Sequence, residues 1–268
     1  MRIAFIGGGI MAEAIIGGII ESKIAPASDV HVGEPVPARR QHLEQMYGLT
    51  THAVNLEALD GAVLSVLAVK PQTLPYVLPE LRGKIATDNT VLSIVAGATM
   101  KTLVDGLGHE AVIRVMPNTP AQIGAGMTVW TAAAAVPAEA TETTKRILGT
   151  LGEEHYADEE KLIDMATALS ASGPAYAFMF VEALIDAGVY LGMARDVARK
   201  LALQTVLGST QLVKETGKHP AELKDMVTSP GGTTAEALLT FDRGGFRGVV
   251  IDAVDAAYEK SLALGGPS

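Results

Sequence analysis

Cysteine is absent from this chain of 268 residues, which excludes a disulfide framework, a thiolate nucleophile and a thiolate metal site. That suits a reducing compartment, so a cytoplasmic protein is expected. Positive charge is in short supply: 21 Lys and Arg stand against 30 Asp and Glu, for a formal net charge of -9. Such a chain repels a phosphate backbone and an anionic membrane surface, so neither nucleic acid nor membrane is an expected partner. The histidines, at 31, 42, 52, 109, 155 and 219, fall on separate segments without metal-ligand spacing, and no metal site is expected. Repeats of fixed period and low-complexity linkers are also missing. What is abundant is apolar side chain, 48% of the residues, enough for one large core or two ordinary ones and too much for disorder.

The apolar run from Ile3 to Ile20 follows Arg2 and superficially resembles a secretory segment. Glu13 in its middle, the Gly7-Gly8-Gly9 interruption and the lack of a small-residue cleavage motif after Lys23 argue instead for a strand, a tight turn and a helix. Arg2–Ile6 reads as a buried parallel strand, Met11–Ser22 as a helix, Val30–Gly33 as a second strand and Pro37–Tyr47 as a surface helix. Ala62–Val69, Thr90–Val95 and Val112–Met116 continue the strand series, separated by helical or turn-rich sequence. Strands alternating with helices predict an α/β fold, a Rossmann-type parallel sheet over residues 1–157. The Ala-rich stretch Thr131–Ala140 reads as a solvent-exposed connection.

Residues 158–268 are rich in Ala, Leu and Met and poor in strand formers, which predicts an all-α domain. In Ala175–Leu191 the charged residues are Glu182 and Asp186 alone. A helix apolar on nearly every face needs neighbours that a region of about 110 residues cannot supply, so dimerisation is expected.

Gly7-Gly8-Gly9-Ile10-Met11-Ala12 fits the G-x-G-x-x-G/A fingerprint between a strand and a helix. Gly7 makes the tight turn, Gly9 admits a pyrophosphate at the helix N-terminus, and Ala12 lets helix and strand pack closely. Glu34 ends the second strand 25 positions after Gly9, near the spacing of an acid that accepts bonds from the adenosine ribose 2′-OH. A solvated turn acid before Pro35 is the alternative. Arg39 and Arg40 could reach a 2′-phosphate or decorate a helix face. The expected cofactor is NADH, with NADPH as the alternative.

Further segments extend this pattern: Ala68-Val69-Lys70-Pro71, Met116-Pro117-Asn118-Thr119-Pro120, Ser172-Gly173-Pro174-Ala175-Tyr176, and Lys224-Asp225-Met226-Val227-Thr228-Ser229-Pro230-Gly231-Gly232-Thr233-Thr234. In this order, over essentially the whole chain, they resemble the pyrroline-5-carboxylate reductases. The Ser-Pro-Gly-Gly-x-Thr segment is the most specific, since it does not belong to dehydrogenases generally. Ile10 stands where the family commonly has Asn, Ala171 replaces a Gly, and Met226 replaces an Asn that faces the cofactor in relatives.

The resemblance implies hydride transfer from a nicotinamide to the imine carbon of 1-pyrroline-5-carboxylate, giving L-proline. It implies a small-molecule substrate and a homodimer, or a higher oligomer of dimers such as a decamer. Besides the fingerprint residues Gly7, Gly9, Ile10, Met11 and Ala12, with Ile6 before them and Glu34 after, it assigns Asn55, Ala68, Val69, Lys70, Pro71 and Ala96 to the cofactor. Met116 and Asn118 approach the nicotinamide by the same analogy. Val227, Ser229, Gly232, Thr233 and Thr234 bind substrate. Backbone N–H groups of that turn would hold its carboxylate; helix capping by Ser229, Thr233 or Thr234 is the alternative. Thr234 is the candidate catalytic residue, either orienting the imine nitrogen or relaying a proton to it. Lys70, just before Pro71, suits phosphate or backbone contacts better than acid catalysis.

Two other readings compete. A β-hydroxyacid dehydrogenase-like oxidoreductase would carry a Lys inside a helix of its second domain, and Ala175–Leu191 has none. A non-catalytic dinucleotide-binding interaction protein would use the apolar half as a partner surface.

Overall fold

The structure, a computed structural model, describes residues 1–265. Packing divides the chain into two units, Met1–Gly173 with the segment from Ala257 onward, and Pro174–Ala256.

The first unit is built on one sheet of eight strands: β1 Ile3–Ile6, β2 Val30–Gly33, β3 Thr50–His52, β4 Leu64–Leu67, β5 Thr90–Ser93, β6 Val112–Met116, β7 Gly126–Ala132 and β8 Gly152–Tyr156. Their spatial order is β3-β2-β1-β4-β5-β6-β7-β8, and the β6–β7 pairing alone is antiparallel. The first six strands have the doubly wound order in which the chain reverses its direction of building between β1 and β4. Along the first unit the helices are α1 Ile10–Glu21, α2 Pro37–Tyr47, α3 Asn55–Leu59, α4 Leu74–Leu81, α5 Met100–Leu107, α6 Ala138–Gly149 and α7 Lys161–Ala166.

Both faces of the sheet are covered, which is why its central strands β1, β4, β5 and β6 are buried at every position. Ile3 and Phe5 point into one core with Ile15, Ile16, Ile19 and Trp130. Ala4 and Ile6 point into the other with Leu74, Val77, Leu78, Leu103 and Leu107. Ile15, Ile16 and Ile19 are fully buried, each contributing about 1.5–3 kcal/mol of burial. The N-terminal apolar run is thus a core strand, a turn and a core helix.

Local chemistry sets the helix ends. Pro37 occupies the first turn of α2, and Gly48, at φ 68°, closes it with its N–H on the Glu44 carbonyl. Thr99 caps α5 by accepting from the Thr102 N–H, and Gly108, at φ 62°, ends it.

The stretch Thr131–Ala140 is not a continuous connection. Thr131 and Ala132 finish β7, with Thr131 buried, and Ala138–Ala140 form the first turn of α6. Trp130 anchors that strand in the core, its indole N–H donating to Glu154 at 2.6 Å.

In the second unit α8 Gly173–Tyr190, α9 Arg195–Thr216, α10 Pro220–Met226, α11 Thr233–Arg243 and α12 Phe246–Gly265 account for the regular structure. Gly173 itself counts with the first unit, as do the last turns of α12. Between α7 and α8 the chain makes a π-helical turn, Thr167–Ala171. No residue of α8 is buried within the chain, and Phe178, Met179, Tyr190, Leu207 and Ile251 all stand exposed. By length and hydropathy the continuous stretch Lys161–Tyr190 is apolar enough to cross a membrane.

Candidate active site

Since β1 pairs with both β2 and β4, the crevice beyond the strand C-termini opens at the residue after β1, Gly7. Its φ is +97°, and a Cβ there would stand 2.8 Å from the Ala68 carbonyl oxygen. Glycine is required on both counts. Gly9 is the N-cap of α1 and no side chain caps that helix. A Cβ on Gly9 would meet nothing within 4 Å. The first-turn N–H groups of α1 therefore face open space at the positive end of the helix, and this cradle fits a diphosphate.

Glu34 is 9% exposed and points inward. Its Oε2 accepts from the Gly8 N–H at 2.9 Å and its Oε1 from the Val36 N–H at 2.9 Å. The solvated-turn alternative is not the arrangement found. Each oxygen keeps a lone pair that a ribose hydroxyl can use, and the carboxylate repels a phosphate. Arg40 donates to the Glu34 carbonyl at 2.7 Å and the Pro35 carbonyl at 3.0 Å. Arg39 hydrogen-bonds the Gly8 carbonyl, reaches the Gly9 carbonyl at 3.3 Å and pairs with Glu13. Burial would raise the Glu13 pKa, but the bonds from His42 and Arg39 outweigh it and hold that carboxyl below its usual value. Both arginines are thus committed to the loop and its flanking turn. Sequence reasoning missed this bracing of the glycine loop; the signal available was the pairing of an acid after β2 with two arginines at the start of α2.

The other cofactor candidates lie at the C-terminal ends of the same strands. Ile6 is buried in the core, and its carbonyl accepts from the Ala68 N–H at 2.9 Å. Met11 packs partly buried against the core and Ala12 is buried on the inner face of α1, whereas Ile10 is exposed. Ala68 and Val69 are half-buried, Pro71 begins the turn to α4, and Lys70 is exposed. Asn55 sits against Gly33, where a Cβ would be 2.7 Å from its Oδ1, and its Nδ2 donates to Glu80 at 3.0 Å. Ala96 packs against the core cluster that contains Met116, itself buried. Asn118 Oδ1 accepts from the Met127 N–H at 2.9 Å, while its Nδ2 reaches the carbonyl and hydroxyl oxygens of Ser170 at 3.3 and 3.4 Å. Its side chain is therefore spent holding the π-helical turn.

The substrate candidates belong to the second unit. Val227 and Ser229 are exposed in the loop after α10, and Gly231 turns the chain at φ +65°. Gly232 is the N-cap of α11, again without a side-chain cap. The Ser229 carbonyl accepts from the Gly232 N–H at 3.0 Å, and Thr233 and Thr234 occupy the first turn of α11. None of Ser229, Thr233 and Thr234 caps the helix, so the N–H groups of that turn remain available to an anion. No group of His, Asp and Glu able to hold a metal occurs among the described residues.

Comparison with known proteins gives the same pattern. Residues 160–264 match the family model for pyrroline-5-carboxylate reductase dimerisation, and residues 2–97 match one described as NADP oxidoreductase, coenzyme F420-dependent. A pyrroline-5-carboxylate reductase from Synechocystis is 44% identical over 99% of this chain and 98% of its own length. The chain belongs to the pyrroline-5-carboxylate reductase family. Another member of that family, from Escherichia coli, is 42% identical over 98% of both chains. The pyrroline carboxylate reductase of Plasmodium falciparum, solved with NADP bound, superposes with a TM-score of 0.91 at 32% identity, covering 99% of this chain and 98% of its own. A prephenate dehydrogenase from A. aeolicus, 14% identical with a TM-score of 0.56, shares the fold alone.

Proposed function

We propose that this protein reduces 1-pyrroline-5-carboxylate to L-proline with NADH or NADPH, the last step of proline biosynthesis. The observation that carries the reading is the pairing, in one chain, of a dinucleotide cradle at Gly7–Ala12 with the uncapped Val227–Thr234 turn. The bound nicotinamide would supply the hydride. The chain's own part is positioning: first-turn amides of α1 hold the diphosphate, Glu34 takes the ribose, and Lys70 steers the anionic cofactor. The N–H groups at the start of α11 hold the substrate carboxylate. The hydroxyl of Thr234, without a partner among the described residues, hydrogen-bonds the ring nitrogen. A threonine hydroxyl is a poor acid, so the imine enters protonated and Thr234 orients it. This division of labour fits a cofactor domain over residues 1–157 and a substrate and dimerisation domain over residues 158–268.

The unburied faces of α8 and its neighbours support a homodimer, and assembly of dimers into a decamer is compatible with that surface. A partner's helices also explain the apolar stretch Lys161–Tyr190 without a membrane. A cytoplasmic location fits a chain without cysteine. The test is oxidation of NADH and of NADPH by the purified protein, with and without the imine, and identification of proline in the product. Cofactor oxidation that does not depend on the imine, or none at all, would overturn the proposal.

A further inference from the structure

The loop joining β5 to α5 carries Ala96, one of the cofactor candidates, and is packed from behind by the end of the chain's last helix. Gly97 in that loop is buried, with φ +76°. A Cβ on it would lie 2.7 Å from the Leu264 Cβ and 3.3 Å from the Leu264 carbonyl carbon, and a Cβ on Gly265 would lie 3.5 Å from the Gly97 carbonyl oxygen. One turn earlier Ser261 is 2% exposed, and its Oγ donates to Asp164 Oδ1 at 3.2 Å. The same Asp164 oxygen accepts from Arg114 at 2.8 Å, and Arg114 also donates to Glu160 Oε1 at 2.7 Å. Glu160 Oε1 in turn accepts from the Met100 N–H at 2.6 Å, where the loop enters α5. Within the loop the Ala98 N–H reaches the Val95 carbonyl at 3.3 Å, and Val95 and Ala98 are buried in the core on the side away from the helix end.

We infer that Ser261 and Leu264 are positioning residues for the cofactor: the last turn of α12, fastened through Asp164 and Arg114, fixes the Gly97 backbone and so the Ala96 wall of the crevice. The inference rests on the dinucleotide reading of the Gly7–Ala12 edge. It also gives the close approach at Gly97 a reason, since any side chain there would push the helix end away.

The test is titration of NADH against the full-length protein, read by the fluorescence of the bound dinucleotide, beside steady-state kinetics with the imine. Ser261→Ala, which removes the bond to Asp164 that fastens the helix end, should raise the dissociation constant and KM for NADH about 3- to 10-fold while kcat stays within about twofold. Leu262→Ala, in the same turn but not among the atoms nearest Gly97, should leave NADH binding unchanged. Equal NADH affinity in Ser261→Ala and wild type would overturn the inference, whatever happens to thermal stability. If Ser261→Ala does not fold, Gly97→Ala serves instead: it should weaken NADH binding, and Leu264→Gly in the same chain, which removes the Cβ nearest Gly97, should recover part of the loss. No recovery would also overturn it. Because the titration needs no imine, a wild-type protein that binds NADH without reducing the imine would refute the proposed reaction and still report on this turn.

Discussion

At the scale of single residues, Glu34 combines two tasks, bracing Gly8 and Val36 through their N–H groups and presenting a negative charge where an adenosine ribose would lie. Glu34→Gln keeps the shape and removes the charge. It should move the ratio of kcat/KM towards NADPH by roughly tenfold, about 1.4 kcal/mol of relieved repulsion; an unchanged ratio measured with both cofactors would mean that the charge does not reach the 2′ position. His31 illustrates a different kind of residue effect. Burial, then the neighbouring positive charges of Arg2 and His52, hold its pKa below the usual histidine value, against smaller opposing effects from Ser28 and Asp29. Its Nδ1 faces His52 Nε2 at 3.0 Å and Arg2 Nη2 at 3.3 Å, while His52 in turn meets Glu57. The unfolded chain therefore takes up this proton at a higher pH than the folded one. Stability that is full above about pH 6.5 should decline as the pH falls towards the lowered folded value. Thermal melts from pH 7.5 to 5.5 should show this, with a shallower decline in His31→Gln.

Among the elements, the turn that opens α11 makes the sharpest prediction. Thr234→Val, nearly isosteric, should lower kcat/KM for the imine by roughly 5- to 150-fold, the value of one oriented hydrogen bond of about 1–3 kcal/mol. NADH affinity should stay close to wild type, because the side chain is assigned to substrate alone; a variant that loses both would place Thr234 in the cofactor site. Elements were legible in the sequence where burial imposes a pattern. β1 is a continuous apolar run, β2 and β6 are apolar but for His31 and Arg114, and α2 is sharply punctuated by Pro37 and Gly48. β3 and β8 were not legible because Thr50–His52 and Gly152–Glu153-Glu154-His155-Tyr156 are short or polar segments at the two sheet edges, made strands by their neighbours. The end of β7 lacks a strand pattern because Thr131 and Ala132 open an Ala-rich stretch, and burial of Trp130 and Thr131 is what makes it a strand. In the site, the glycine fingerprint and the Ser-Pro-Gly-Gly-x-Thr turn could be read from residue order. The clamp of Arg39 on the glycine loop and the approach of Leu264 to Gly97 could not, since they join residues distant in sequence.

For the whole molecule, the exposed apolar faces of α8 and α12 predict association, and light scattering at micromolar concentration should find at least a dimer. If the Val227–Thr234 turn serves the partner's cofactor, mixing Gly9→Asp chains with Thr234→Val chains should restore activity in heterodimers that hold one complete site. Mixtures shown by mass spectrometry to exchange subunits but recovering nothing would assign the turn to its own chain. Underneath both lies the claim that the two sequence signatures serve one hydride transfer. The most direct measurement supplies [4,4-2H2]-NADH with unlabelled 1-pyrroline-5-carboxylate and weighs the product by mass spectrometry. Proline carrying one deuterium at C5 is the predicted result, and unlabelled proline, or oxidised cofactor without proline, would contradict it.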